Sequence, residues 1–267
     1  MLIDYHTHLE RGPYTLEYLK TFVDKGRERG VSEICFTEHG HFFHESWALL
    51  NNDWPLSIPR RHLADYTNLV EQAKGMDLPI KLGLEMDYIP ETKVKIGQFL
   101  STQPFDFVLG SVHWIDEFGF DNPDWLAEWD TRSVDELYRR YFTLLREAVQ
   151  SKMFDAIAHP DVIKIFGYRP SFSLQEEYRQ VADTLADNCV CLEVSTAGWR
   201  KPVNELYPHL DLLRTCLERG VNITLASDAH EPEHVGFAFD RAASLLRDLG
   251  LRQLATFTNR QIKMVAL

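Results

Sequence analysis

The amino-acid sequence predicts an α/β fold built on a parallel sheet. Three observations predict it. Short apolar runs alternate with longer amphipathic segments along the chain. The apolar runs are nearly continuous, as in strands buried on both faces, not alternating as in half-exposed ones. The rhythm repeats seven times, which leaves an open doubly wound sheet or a closed barrel. A length of 267 residues suits one domain spanning 1–267, since single α/β barrels run to about this size.

The elements follow in order. The first run, Leu2–His8, precedes a helical segment near Thr15–Arg29. The second, Glu33–His39, precedes a long stretch, His41–Pro59, and a helix near Arg60–Lys74. Pro79–Tyr88 leads to Glu91–Leu100. Phe105–Trp114 leads to a second long stretch, Ile115–Arg132, and to Ser133–Ser151. Phe154–Pro160, Val190–Ala197 and Asn222–His230 are followed by helices near Ser173–Asp187, Glu205–Arg219 and Pro232–Leu249. The tail, Leu254–Leu267, fits either pattern. Ser133 with Glu136, and Ser173 with Glu176, read as capping boxes. Gly30, Gly75, Gly220 and Gly250 stand where helices end and a left-handed residue is useful.

Composition narrows the function. Lys and Arg total 28 against 40 Asp and Glu, a formal net charge of −12. No basic run or stripe is available to neutralise phosphates, so a nucleic-acid polymer is not an expected partner. No apolar stretch approaches the roughly 20 residues that span a bilayer, and the first residues lack the basic start and apolar run of a signal peptide. The four cysteines, Cys35, Cys189, Cys191 and Cys216, form no Cys-x-x-Cys pair. They read as buried thiols of a reduced, cytoplasmic protein. Nothing in the sequence speaks to oligomeric state.

The polar residues carry the chemistry by their positions. Nearly every expected strand ends in groups able to bind a metal. The ends read Asp4-Tyr5-His6-Thr7-His8, Thr37-Glu38-His39, Gly83-Leu84-Glu85-Met86-Asp87, Gly110-Ser111-Val112-His113, Ala158-His159-Pro160-Asp161 and Ala226-Ser227-Asp228-Ala229-His230, with Glu193 and Ser195 in the sixth run. Residues two apart on a strand point the same way, which pairs His6 with His8 and Asp228 with His230. In a closed parallel barrel all these ends meet at one mouth, where such enzymes place their active sites. A lone histidine in a buried strand is usually a hydrogen-bonded core residue. Six at strand ends beside Glu85 and Asp228 have a common cause. Crowded carboxylates repel and buried imidazoles are costly unless paired; divalent cations resolve both problems. Mixed His and carboxylate ligation suits Zn, Mn or Fe better than Ca or Mg.

The long stretches lie on the mouth side, where long loops tend to be functional. His41 and His44 open the first, which also carries Trp47, Asn51, Asn52 and Trp54 and reads as a lid or a packed loop. The second holds Asp116, Glu117, Asp121, Asp124, Trp125, Glu128 and Asp130, an acidic and aromatic wall that suits a cationic substrate group or plain exposure. Arg169, Arg200 and Lys201 follow the fifth and sixth runs. A guanidinium there serves as a phosphate clamp or a salt bridge. His62, His209 and His234 read as surface residues.

Taken together, His6-Thr7-His8, Thr37-Glu38-His39-Gly40, Gly83-Leu84-Glu85, Ser111-Val112-His113, Ala158-His159-Pro160 and Ser227-Asp228-Ala229-His230 resemble the polymerase and histidinol phosphatase family of phosphoesterases. The likeness covers essentially the whole chain. Ile165-Phe166-Gly167-Tyr168-Arg169 and Glu193 to Pro202 resemble its histidinol-phosphatase branch. The resemblance implies a distorted (β/α)7 TIM-like barrel with two or three divalent metals. By position it implies one metal at His6, His8, Glu85 and Asp228, a second at Glu85, His113 and His159, and a third at His39 and His230. Many members carry a further His for the third metal after the first motif. This chain has none between His8 and His39, and Glu10 is the nearest substitute.

The expected activity is hydrolysis of a small phosphate monoester, L-histidinol phosphate first, in histidine biosynthesis. Asp228 and His230 are the candidates for proton transfer, and Arg169, Arg200, Ser111 and His41 for substrate contact. Another small ester such as a nucleotide, a non-catalytic metal-binding module, and a carbon–nitrogen hydrolase are the competing readings. Glu85 stands where the last of these often uses a carboxylated lysine.

Overall fold

The computed structural model describes residues 1–50 and 59–267. Its centre is one sheet of seven parallel strands in chain order: β1 (Leu2–Thr7), β2 (Val31–His39), β3 (Ile80–Asp87), β4 (Phe107–Ser111), β5 (Ala156–Ile157), β6 (Cys191–Ser195) and β7 (Ile223–Ala226). The sheet curls until its edges meet. His8 N donates to Ala229 O at 2.8 Å and Ala229 N to His6 O at 3.2 Å, just beyond the end of β7. The barrel, and not the open sheet, is the arrangement adopted.

The helices are α1 (Leu16–Glu28), α2 (His44–Leu50), α3 (Leu63–Lys74), α4 (Lys93–Ser101), α5 (Val134–Gln150), α6 (Gln175–Asn188), α7 (Leu210–Glu218) and α8 (Phe239–Asp248). All but the short α2 bury an apolar stripe; α5 buries Leu137, Tyr141, Phe142, Leu144, Leu145 and Val149. Ser133 caps α5 by accepting from Glu136 N. The second expected box does not form. Helix α6 begins later, and Ser173 Oγ accepts from Gln175 N at 3.4 Å instead. Gly30, Gly220 and Gly250 are left-handed, with φ of 73°, 72° and 91°. Gly75 stays right-handed, and Asp77, φ 58°, takes the left-handed place two residues on.

Three stretches differ from the sequence expectation. The fifth run shrinks to the two residues of β5. Before it, the Asp155 carboxylate accepts from Val108 N, and after it His159 turns to a φ of 25°. The stretch after β2 contains α2 and is not wholly loop; Asn51, Asn52 and Trp54 lie outside the described residues. The stretch after β4 folds as a short hairpin, Trp114–Ile115 with Phe118–Gly119, and a 3-10 segment, Pro123–Thr131. The cysteines are all free, but Cys189 is exposed at the end of α6, unlike the other three.

The tail becomes an antiparallel hairpin, β8 (Gln253–Thr258) with β9 (Gln261–Ala266). It closes the end of the barrel opposite the mouth. Asp106, just before β4, accepts from Asn259 N at 3.1 Å with its side chain and from Arg260 N at 2.9 Å with its carbonyl. The Phe257 ring lies 4.8 Å from Phe107 and 6.3 Å from Tyr5. Tyr5 itself meets Phe107 edge-on at 5.2 Å, although β1 and β4 are not neighbours in the sheet. These three aromatic rings form a floor.

Strand β1 has a register shift between Asp4 and Thr7, where one extra residue is taken up against β2. A bulge of this kind re-aims side chains. Tyr5 reaches the floor, and the next residue, His6, reaches Glu85 on the non-adjacent strand β3 at 3.1 Å. Consecutive residues thus serve two different layers of the barrel interior.

Candidate metal centre

The strand ends bring the expected residues together. Glu85, the sixth residue of β3, sits at the centre. Its Oε2 is 3.1 Å from His6 Nε2, 3.7 Å from His8 Nε2 and 2.7 Å from His39 Nδ1. Its Oε1 is 3.2 Å from His159 Nε2 and 3.6 Å from His113 Nε2. Asp228 Oδ1 lies 3.7 Å from His6 Nε2, 3.4 Å from His8 Nε2 and 3.5 Å from His230 Nδ1. His113 and His159 approach Nε2 to Nε2 at 3.3 Å, and His39 and His230 at 3.4 Å. Glu10 joins them, its Oε1 3.6 Å from His230 Nε2. The side chains of His6 and His8 are wholly buried and that of His230 is 20% exposed, so the cluster runs from barrel interior to rim.

A layer of carboxylates aims these rings. His6 Nδ1 is 2.9 Å from Glu193 Oε2, His113 Nδ1 2.9 Å from Asp87 Oδ1, and His8 Nδ1 3.5 Å from Glu38 Oε1. Each partner sits behind its ring and leaves Nε2 facing inward. Glu193 also accepts from the backbone of His159 at 2.9 Å. Glu38 is fixed in turn by Leu9 N and the Tyr14 hydroxyl. His159 and Asp228 hold positive φ, 25° and 51°, conformations that side chains other than glycine adopt rarely and mostly at functional positions. The strained turns swing both side chains into the mouth.

Comparison with known proteins separates the readings. The model of the PHP domain matches residues 4–197. The chain belongs to the PHP domain family. Within it, the chain is 35% identical to a probable histidinol-phosphatase of Deinococcus radiodurans, over 98% of each chain. It is 28% identical to the histidinol-phosphatase of Lactococcus lactis, over 97% of this chain and 96% of that one. The crystal structure of histidinol phosphate phosphatase from Lactococcus lactis, complexed with zinc, L-histidinol and phosphate, superposes with a TM-score of 0.78, 26% identity and 98% coverage of both chains.

The PHP residues of this chain fit divalent metal. His6 Nε2, both ring nitrogens of His8, Glu85 Oε2 and Glu10 Oε2 are buried without a hydrogen-bond partner. Buried polar atoms are rarely left so, and all but His8 Nδ1 face the cluster. Four triads offer ligand atoms within 4.8 Å of one another: His6, His8 and Asp228; His6, Glu85 and His159; His8, His39 and His230; and His8, Glu10 and Glu38. The first three overlap the three expected sets, with His6 and His8 shared between neighbours, and the fourth groups Glu10 with His8 and Glu38. His, Asp and Glu without cysteine suit a borderline cation.

Charges in the cluster are polarised. Burial disfavours the ionised form of Glu85 and Asp228, but the surrounding histidines hold both carboxyls well below their usual range. Burial pushes His39, His41 and His230 down, toward the neutral form a metal ligand needs. His8 and His113 are drawn up against burial, to about 9 and about 10, by Asp228 and Glu38 and by Asp87. Burial and the nearby Glu38 raise Glu10.

Above the PHP cluster is a cavity of about 130 Å³. His41 lines it, buried and stacked on His39 at 4.8 Å between centroids. Ser111 ends β4, fully buried, with its Oγ unpartnered. Arg200 donates to the carbonyls of Ser227 and Asp228 at 2.8 Å and 3.0 Å, which props the turn that carries Asp228. Its Nη1 is buried and unpartnered. Of the four expected substrate contacts, His41 alone lines this cavity; Ser111 and Arg200 lie behind its lining, and Arg169 is elsewhere. It pairs with Glu205 at 2.6 Å and lines a separate cavity of about 260 Å³ beside α5 and α6. His44 and His62 lie against each other at the exposed surface, their rings tilted by 43°. His209 is half-buried and caps α7, so it is not a plain surface residue.

One residue of the mouth went unrecognised in the sequence. Tyr207 lines the cavity with its hydroxyl buried and unpartnered. It lies between strands in an irregular segment, with no periodicity to mark it. Asp121, named in the sequence as one of the acidic residues of its stretch, lines the cavity as well.

Proposed function

We propose that this chain is a metal-dependent phosphate-monoester hydrolase acting on L-histidinol phosphate, which it converts to L-histidinol and phosphate. The observation that carries it is the buried cluster around Glu85, in a family whose Lactococcus member binds zinc, L-histidinol and phosphate.

His6, His8, Glu85 and Asp228 would hold one metal; Glu85, His113 and His159 a second; His39, His230 and Glu10 a third. Divalent metals there would neutralise phosphoryl charge and bring water toward its ionised form near neutral pH. Zn, Mn and Fe all suit the ligand set.

The chain's own residues do the rest. Glu193, Asp87 and Glu38 fix which nitrogen each histidine presents. Arg200 holds the Asp228 turn and offers its free Nη1 to a phosphoryl oxygen. His41 and Ser111 are proposed as further substrate contacts. His230, at the rim, and Asp228 are the groups nearest the solvent side for moving a proton to the leaving oxygen. Arg169 is left as a partner of Glu205. The mouth is a small cup lined by histidines, two aspartates and a lysine, which suits a small phosphorylated substrate and not a polymer. Among the described residues, no helix is long and apolar enough to cross a membrane. The cytoplasm is the compartment proposed.

The test is phosphate release by metal-loaded protein from L-histidinol phosphate and from a panel of nucleotide and sugar phosphates. Preference for histidinol phosphate is expected. Turnover of other esters alone would keep the chemistry and discard the substrate.

A further inference from the structure

The cavity above the metal cluster has opposite charges on two of its walls. Lys201 lines one side and Asp121 another. No ion pair joins them among the described residues. Asp121 Oδ1 is buried and has no hydrogen-bond partner. Burial raises its carboxyl, with the nearby His113, His159 and Lys201 working the other way.

Its neighbours are used differently. Asp116 pairs with Arg140, Glu128 with Arg132, and Asp130 accepts from Tyr168, all at the exposed surface. Asp121 is also held in place. Phe120 is fully buried and its carbonyl accepts from Trp129 Nε1 at 2.9 Å, while Asn122 caps the following 3-10 segment. A carboxylate pinned on both sides, facing a cavity with its buried Oδ1 unpartnered, is poised for a ligand.

We propose that Asp121 accepts the α-ammonium of the substrate and so selects phosphate esters of amino alcohols. The inference rests on the phosphatase reading above. In such an ester the ammonium sits on the carbon next to the one that bears the ester oxygen, so a molecule with its phosphate at the metal cluster carries its positive charge a few bonds away. The cavity repeats that dipole: cationic cluster and Lys201 for the phosphate, Asp121 for the ammonium. The apolar side chains of Val162 and Ile165, with Tyr207 beside them, leave a further wall for the rest of the molecule. A charge-assisted hydrogen bond in such a site is worth roughly 10- to 100-fold in discrimination.

The experiment compares L-histidinol phosphate with its des-amino analogue, 3-(imidazol-4-yl)propyl phosphate, in the metal-loaded wild type and in Asp121→Asn. The wild type prefers the amine, and in D121N the ratio of kcat/KM values collapses toward one while the des-amino ester is hydrolysed as before. Inhibition by L-histidinol weakens in parallel, with metal content unchanged. An unchanged ratio would overturn the proposal. So would an equal fall for both esters or a loss of bound metal, since either would give Asp121 a part in the chemistry or the metal site. A wild type that ignores both esters would fail the substrate reading itself, which is a different outcome from an active wild type with an unaltered ratio.

Discussion

Glu193 holds His6 from behind. The 2.9 Å contact between Glu193 Oε2 and His6 Nδ1 is wholly buried, and it leaves His6 Nε2 pointing at Glu85. The same carboxylate accepts from the backbone of His159, so one side chain on β6 positions two residues of the cluster that arrive from different parts of the barrel.

Glu193→Gln keeps the shape and removes the charge. We expect a metal affinity lowered by about 10- to 100-fold, as for other outer partners of metal-bound histidine. Titration with zinc against a competing chelator measures it, with circular dichroism to confirm that the barrel persists. Unaltered affinity would reduce Glu193 to a packing residue.

Metal binding should release protons. Asp228, Glu38 and Asp87 overcome burial and lift His8 to about 9 and His113 to about 10 in the metal-free protein, so both are charged at pH 7. Coordination needs them neutral. Affinity therefore rises with pH toward those values and falls on acidification. Glu193, Glu85 and Asp228 likewise overcome burial and raise His6 well above its usual value, so calorimetry at pH 7 in buffers of different ionisation enthalpy should show net proton release on metal binding; none released would refute the assignment of these three histidines.

His8→Ala and Asp228→Ala each remove a group that touches several others in the cluster. Turnover is expected to vanish in both, with folding retained. Exhaustive chelation of the wild type should have the same effect, reversed by adding Zn or Mn. Near-normal activity in both metal-stripped variants would sink the mechanism.

The floor predicts a stability effect far from the chemistry. Phe257 is 4% exposed and packs on Phe107 and Tyr5. Phe257→Ala should cost about 3–5 kcal/mol, read as a lower midpoint in urea with kcat nearly unchanged at low temperature. A cost within experimental error would mean that the tail hairpin does not seal the barrel.

Much of this molecule is legible in its sequence, and the exceptions share a cause. Strand positions and the clustered residues His6, His8, His39, Glu85, His113, His159, Asp228 and His230 can be read because apolar runs end abruptly in polar groups, and the fold brings those ends together. Glu10 could be named because nothing else near the first motif could serve. What hides is set by backbone turns and not by periodicity. Alternation along β1 would place Tyr5 and His6 on opposite faces, yet the bulge lets both point into the barrel. Arg169 stands near a strand end, but Glu205 draws it away from the mouth. Asp121 and Tyr207 arrive from irregular segments whose paths depend on contacts such as Trp129 with Phe120.

The bulge has a bearing on motion. The floor's Tyr5 and the cluster's His6 are separated by a single peptide unit, so the chain offers no slack between them. Local opening is graded by how tightly a segment is tied, and here two anchors grip adjacent links. A filled metal cluster should therefore quiet the floor as well as the mouth. The amides of β1 should be among the slowest in the protein to exchange with deuterium, and loading with metal should slow them further.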